Sequence, residues 1–276
     1  MRTGAYYALA LSLPFIFIFL LFIIYPLLIS VELLSSNLEP YSKLFSDQIY
    51  LQALTNTLIF VGIAVPVKMI LALILSGFLS YYNRISIVRV LNVLYLLPWA
   101  IPAISAALSF RWSLNYDYGI INTFLTDLGL PRVRWLLDYP TAMLSVISFH
   151  IWKWLPMWIL MISAGRKGIP EELYEAASID GASLFQRFTQ ITLPLLLKLF
   201  LICLLLSSIW SMGEFEAVWL VTMGGPNQST HLISTLGFKF TFLDASLVKG
   251  LAAYMSLMPL VLILVFLLIQ ISREKE

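Results

Sequence analysis

The residues of this sequence most able to do chemistry are few, and most lie in apolar surroundings. Lys68 and Lys153 interrupt long hydrophobic runs, and Glu214 and Glu216 stand late in another. Trp152, Trp154 and Trp158 crowd around Lys153 in the run HIWKWLPMW. The carboxylates Asp180, Glu214 and Glu216 form no clustered acid, base and nucleophile, so the pattern does not suggest covalent catalysis. His150 and His231 lack Cys, His or carboxylate neighbours at metal-ligand spacing, and no metal is expected. The phosphate-cradling pattern G-x-x-x-x-G-K-[ST] is absent as well. The residues do suit noncovalent recognition, with indole planes for the apolar face of a sugar ring and Lys or Glu for its hydroxyls. Trp154 and Trp158 share a face at helical spacing, and so do Trp210 and Glu214. Plain packing is the alternative role for each indole, and Trp99, Trp112 and Trp135 fit an interfacial belt. Of the two late glutamates, Glu214 is the better candidate because it falls within the hydrocarbon and must be paired or face a polar cavity.

The elements that must position these residues are membrane helices. The chain has 276 residues, 60% hydrophobic and 12% charged, against about a quarter charged in soluble domains. Six apolar runs are long enough to cross about 30 Å of hydrocarbon as helices. They cover roughly Tyr7–Ser30, Thr57–Tyr81, Val88–Phe110, Thr141–Ala164, Leu195–Val221 and Leu247–Ile271. The first is too long for a signal peptide's core of about 7–15 residues and lacks a small-residue cleavage pattern, so it reads as a retained helix. Prolines at 66, 98, 102, 156 and 259 fall inside spans, where they predict kinks. The net charge of +2, with scattered basic residues, points away from a nucleic-acid partner. Cys203, alone in an apolar run, reads as a small packing residue.

Lysine and arginine set the orientation. With both termini cytoplasmic, the inner side receives Arg2, Arg84, Arg89, Arg166, Lys167, Arg187, Lys198, Arg273 and Lys275. The outer side receives Lys43, Arg111, Arg132, Arg134, Lys239 and Lys249, a modest inward bias. A lysine at a helix centre costs roughly 2.5–3.5 kcal/mol on insertion scales. Lys153, midway along its span, should therefore face protein or water, either on a solute pathway or as a partner for another helix. Lys68 is placed nearer the outer end of its span, in a structural role. No low-complexity linker or internal repeat divides the chain. It reads as residues 53–276 forming one membrane domain, with residues 1–52 adding a helix and outer loop in front.

One cytoplasmic loop has a different grammar, reading GRKGIPEELYEAASIDGASLFQRFTQITLPLLLK from Gly165. Pro170 suits a first helical position, and Glu171 and Glu172 complement the dipole of the first turn. The helix is expected to stop near Ile179, with Gly181 left-handed. Ser183 and Gln186 then form a capping-box pattern for a second helix leading back into the membrane. The small residues Ala176, Ala177, Gly181 and Ala182 permit close approach of another surface, with Glu175 and Asp180 at its rim. From composition alone, that surface is equally a protein or the bilayer.

EAASIDGA followed by F…ITLP strongly resembles the coupling loop of binding-protein-dependent ABC importer permeases. The matching positions are Glu175, Ala176, Ala177, Asp180, Gly181, Ala182, Phe188, Leu193 and Pro194. The family often has a further proline where this chain has Lys198-Leu199. The likeness begins near Asn56-Thr57 and runs through LYLLPWAIPAISAALSFRW and NYDYGIINTFLTDLGL to the last span, about four-fifths of the chain. It implies an all-α integral membrane protein, five core helices of MetI-like fold plus one N-terminal helix. It also implies a coupling helix between spans four and five that docks on an ATPase. The segment VWLVTMGGPNQSTHLISTLGFKFTF resembles the first of two permeases in carbohydrate importers of the maltose, trehalose and glycerol-phosphate type, the MalF-like branch. Its motif residues are Gly224, Gly225, Pro226 and Thr230, where Gly-Gly-Pro reads as a turn.

The resemblance implies a second homologous permease, two ATP-binding subunits that carry ATP-Mg, and an extracytoplasmic sugar-binding protein as partners. This chain would bind no cofactor itself and catalyse no covalent step. Lys153, Trp154, Trp158, Trp210 and Glu214 are the expected substrate-pathway residues. Permeases for amino acids, peptides or phosphate share the coupling loop and form the nearest alternative. An ATPase-independent carrier is a further one, although it would have no use for a docking helix.

Overall fold

In lipid the backbone finds no hydrogen-bond partner but itself, so long apolar runs become helices. The computed structural model describes residues 2–36, 39–82, 90–91 and 93–273, and among them every regular element is helical. Five helices are long and apolar enough to span: α1 (Leu11–Ser36), α2 (Gln48–Tyr81), α5 (Tyr139–Lys167), α7 (Leu184–Met212) and α10 (Leu247–Arg273). Shorter elements join them. These are α3 (Ala103–Ser113), α4 (Ile120–Asp127), α6 (Glu171–Ile179), α8 (Glu216–Val221) and α9 (Ile233–Leu243).

Three cross-links show that α2 and α5 run parallel. Tyr139 donates to Asn56 at one end (2.9 Å), Lys68 meets His150 midway (2.9 Å), and Arg166 donates to Ser76 at the other end (3.0 Å). α7 runs back against α5, placing Ser211 beside His150 (3.1 Å) and packing Leu196 with Ile159 and Ile162. The start of α10 is tied to the start of α2 by a Lys249–Asp47 ion pair of 2.8 Å. Asp47 also caps α2, accepting from the Ile49 and Tyr50 amides. Burial opposes its ionisation, but Lys249 and these amides outweigh that and hold its carboxyl below the usual range.

Helices in lipid gain little from the hydrophobic effect and associate through close packing, which favours small interface residues. Accordingly Ala53, Ala64, Ala72, Ala107, Ala142, Ala217, Ala252 and Ala253 are buried where the helices meet. Cys203 lies in the same interior, packed with Met69, Trp158 and Leu196.

Two expected spans differ from their sequence reading. The run Val88–Phe110 is broken: a short helix, Leu97–Ala100, ends at Ile101, and α3 begins after Pro102. Ile101 is extended (ψ 134°), as the residue before a proline tends to be. Val88, Arg84, Arg89 and Lys275 lie outside the described residues. The expected span Leu195–Val221 is also divided. α7 ends at Met212 with Gly213 as its cap, and α8 is a separate helix. Glu214 therefore sits in a helix break, not one turn beyond Trp210 on a continuous face.

Candidate functional site

The break after α7 brings together a charged network inside the bundle. The Lys68 ammonium lies 2.9 Å from Nε2 of His150, and Nδ1 of His150 lies 2.5 Å from Oε2 of Glu214. Ser211 Oγ is 3.1 Å from the same Nε2. One tautomer satisfies all three contacts: Nδ1–H donates to the carboxylate, while Nε2 accepts from Lys68 and Ser211. Glu214 Oε1 also accepts from the Ala217 amide at 2.9 Å, capping α8, and its own carbonyl accepts from Ser234. Lys68, His150 and Glu214 are only 2%, 3% and 9% exposed. Buried charges at this depth persist because they neutralise one another through the imidazole.

This network forms one wall of a cleft of about 660 Å³ whose lining includes Trp154, Trp158, Trp210 and Glu216. That size is within the usual range of roughly 300–1,000 Å³ for small-molecule sites. The Trp158 and Trp210 rings lie 5.7 Å apart, and Lys68 approaches the Trp158 ring at 5.8 Å. Trp210 is half exposed and Trp158 is buried behind it. Planar apolar surface thus stands beside hydrogen-bonding charge, an arrangement able to hold a polyhydroxylated ring.

Four of the five expected pathway residues, Trp154, Trp158, Trp210 and Glu214, share this cleft; Lys153 does not. Its ammonium donates to the carbonyls of Pro98 (2.8 Å), Trp99 (3.3 Å) and Ile101 (2.5 Å). Those are the C-terminal carbonyls left open by the helix break, where a cation also complements the helix dipole. All three donors are committed to backbone, and the residue is 5% exposed. Two residues that the sequence left aside join the cleft instead. Lys68 sits mid-helix, not near an end, and His150 is the hub of the network, not isolated.

At the opposite end of α5 the helix–turn–helix of residues 171–192 projects from the bundle. Pro170 is the cap before α6, one residue earlier than its expected helical position. α6 closes on Gly181 at φ +76°, with the Gly181 and Ala182 amides bonded back to Ser178 and Ala177. This is the paired-bond helix stop that a left-handed glycine permits. The Ser183–Gln186 capping box is formed, at 2.7 and 3.3 Å. Glu175, Ala176, Asp180 and Gly181 are exposed, and Ala177 and Ala182 are half-buried. Ile179, Leu184 and Phe185 present apolar surface to the outside, at 87%, 58% and 73% exposure. Tyr174 ties α6 to Thr192 of α7 at 2.9 Å, while Arg166 bonds Ser76 and the Leu73 carbonyl of α2. The turn is thus closed on itself by Tyr174 and Thr192, and the end of α5 that leads into it is tied to α2 by Arg166.

The Gly224-Gly225-Pro226 segment forms a turn at the other end of the bundle. Gly224 takes φ +80°, and a Cβ there would fall 2.2 Å from the His231 ring. Thr230, fully buried, donates to the Gly225 carbonyl and meets Thr222 at 2.9 Å. Asn56 of α2 donates to the Ser229 and His231 carbonyls and clamps the turn from below. His231 is buried against Thr235; burial, aided by Lys239, pushes its imidazole down to about 4. Among the described residues no group of His, Cys, Asp or Glu could hold a metal ion.

Parallel and antiparallel spans around a charged internal cleft, with an exposed helix–turn–helix at one end of α5, suit a membrane transport protein. Residues 45–273 match the family described as binding-protein-dependent transport system inner membrane component, and the chain belongs to that family. It is 34% identical over 236 residues to the trehalose/maltose transport system permease protein MalF of Thermococcus litoralis, covering 86% of this chain and 78% of that protein. It is 33% identical over 240 residues to the sulfoquinovosyl glycerol transport system permease protein SmoG of Agrobacterium fabrum, covering 86% and 77%. Its fold is similar to a chain of the bacterial alginate ABC transporter in complex with alginate pentasaccharide-bound periplasmic protein. There the TM-score is 0.85 at 24% identity, covering 99% of this chain and 95% of that one. The MetNI methionine ABC transporter is more distant, with a TM-score of 0.58 at 16% identity over 82% and 95%.

Proposed function

We propose that this chain is a permease subunit of an ATP-driven importer that moves a saccharide across the cell membrane into the cytoplasm. The observation that carries the reading is the exposed helix–turn–helix of residues 171–192, which links the end of α5 to the start of α7 in a member of this family. A partner ATPase that grips Ile179 and its neighbours would move α5 and α7 with it, and the cleft lies between those two helices. The partners in this reading are a second homologous permease, two ATP-binding subunits carrying ATP-Mg, and an extracytoplasmic sugar-binding protein. The cargo assignment is supported by the names of the similar permeases and by the indole-lined cleft. Trp154, Trp158, Trp210 and Glu214 would contact the sugar, with Lys68 and His150 holding Glu214 in place. Lys153 would keep the broken helix in position beside it.

The parallel course of α2 and α5 supports six crossings. Two parallel spans need a return crossing between them, and the broken helix ending in α3 is the segment available. Both termini then lie on the side of the 171–192 element, the cytoplasmic one. In that frame Gly224, Gly225, Pro226 and Thr230 shape an outer turn facing the sugar-binding protein.

The test is uptake of labelled maltose, trehalose and an alginate oligosaccharide by vesicles reconstituted with the complete complex, with and without ATP. ATP-dependent uptake of one saccharide that falls on Trp210→Ala supports the reading. Uptake of amino acids or phosphate alone would move the cargo to another class, and uptake without ATP would favour a self-sufficient carrier.

A further inference from the structure

The short helix α4 is built the opposite way from a helix packed on a protein core. Viewed down its axis, Ile120, Phe124, Leu128, Ile121 and Leu125 fill one continuous arc, and Asn122, Thr123, Thr126 and Asp127 fill the other. The buried residue of the helix is the polar one. Asn122, 1% exposed, donates to the Tyr116 and Val133 carbonyls and accepts from the Val133 amide and the Trp135 indole. The apolar arc faces away: Ile120, Phe124 and Leu128 are 58%, 61% and 59% exposed.

Position along the chain says what covers that arc. Six residues separate α4 from Ser113, the end of α3, and eleven separate it from Tyr139, the start of α5. Chain connectivity therefore holds it at the height where the helices of the bundle leave the hydrocarbon. Interfacial markers surround it: Trp112 and Tyr118, both exposed with rings 6.2 Å apart, and the exposed Arg132 and Arg134. Aromatic rings and snorkelling arginines are the side chains that settle at headgroup level.

We propose that α4 is an interfacial anchor, lying flat in the bilayer leaflet at the Ser113 and Tyr139 ends of its neighbours, with Ile120, Phe124 and Leu128 sunk among the acyl chains. An amphipathic helix in this setting enters about 5–10 Å into the boundary between headgroups and chains. Asn122 fixes the helix to the loop and so sets which face turns toward lipid. The anchor would hold the segment between α3 and α5 at a fixed depth.

The test places a fluorophore on cysteine at Phe124→Cys, and separately at Thr123→Cys on the polar arc. The protein is purified with its co-purifying subunits and reconstituted in phosphatidylcholine–phosphatidylglycerol vesicles, with wild type, whose Cys203 is buried, as the labelling blank. The expected result is strong quenching of the 124 label by lipids brominated in the acyl chain and little by iodide, with the 123 label reversed. A 124 label open to iodide would place the helix in water and overturn the anchor. A 124 label shielded from both quenchers would mean that a protein partner covers the arc, and would also overturn it. Leu128→Cys repeats the reading should the first variant assemble poorly.

Discussion

Replacing Lys153 with methionine separates a structural cation from one on the solute path. In the structure its ammonium serves the Pro98, Trp99 and Ile101 carbonyls at the end of a broken helix. At membrane depth, where no water replaces the lost donor, each carbonyl left without one costs about 1–3 kcal/mol. Removing the ammonium returns roughly 2.5–3.5 kcal/mol of insertion penalty. Three orphaned carbonyls at ~2 kcal/mol against ~3 kcal/mol returned leave a net loss of about 3 kcal/mol. For a chain of this size that lowers the thermal midpoint by about 6–12 °C, at roughly 2–4 °C per kcal/mol. Lys153→Arg should recover little, because a planar fork does not aim three donors at three carbonyls on one helix end. The assay is thermal unfolding of the purified protein in detergent beside its transport rate. A Lys153→Met variant that unfolds with wild type yet transports nothing would return Lys153 to the pathway.

Further perturbations address the network, the two glycine turns and His231. Glu214→Ala leaves Lys68 buried without its countercharge and should cost about 3–5 kcal/mol; adding Lys68→Met should restore most of that in the same unfolding assay. Gly224→Ala meets both a positive φ and the His231 ring, so roughly 2–4 kcal/mol is expected. Gly181→Ala, with open space around it, should lose only about 1–2 kcal/mol. His231, whose pKa falls from 6.5 unfolded to about 4 folded, binds its proton more readily in the unfolded chain. Its contribution is full above pH 6.5 and is lost as pH falls toward 4, on the order of 3 kcal/mol in total. Unfolding followed from pH 7 to pH 4 should therefore show a flatter acid limb for His231→Asn.

What the sequence disclosed and what it hid follow from the range of the interactions. Gly181, Ser183 and Gln186 act on neighbours a few residues away, so the helix–turn–helix was legible down to its caps. The Lys68–His150–Glu214 network was not, because its members are 82 and 64 residues apart and meet only through the register of α2, α5 and α7. A signal was present all the same: polar residues deep in apolar runs need partners, and His150 and Lys68 were each other's. Lys153 stands out in the sequence for its charge and its indole neighbours. Pro102, which stops the short helix and leaves the carbonyls Lys153 binds without amide donors, is the stronger clue. Gly213 likewise divided a run whose hydropathy alone looked continuous.

Whether an ATPase grips residues 171–192 is read from affinity purification out of native membranes in mild detergent. Wild type and Ile179→Asp are compared, with co-purifying chains identified by mass. The expected result is an ATP-binding subunit and a second permease with wild type, and loss of the ATP-binding subunit alone with the variant. A chain purified alone that still transports, or a variant that keeps the ATP-binding subunit in full, would mean that no ATPase docks on residues 171–192.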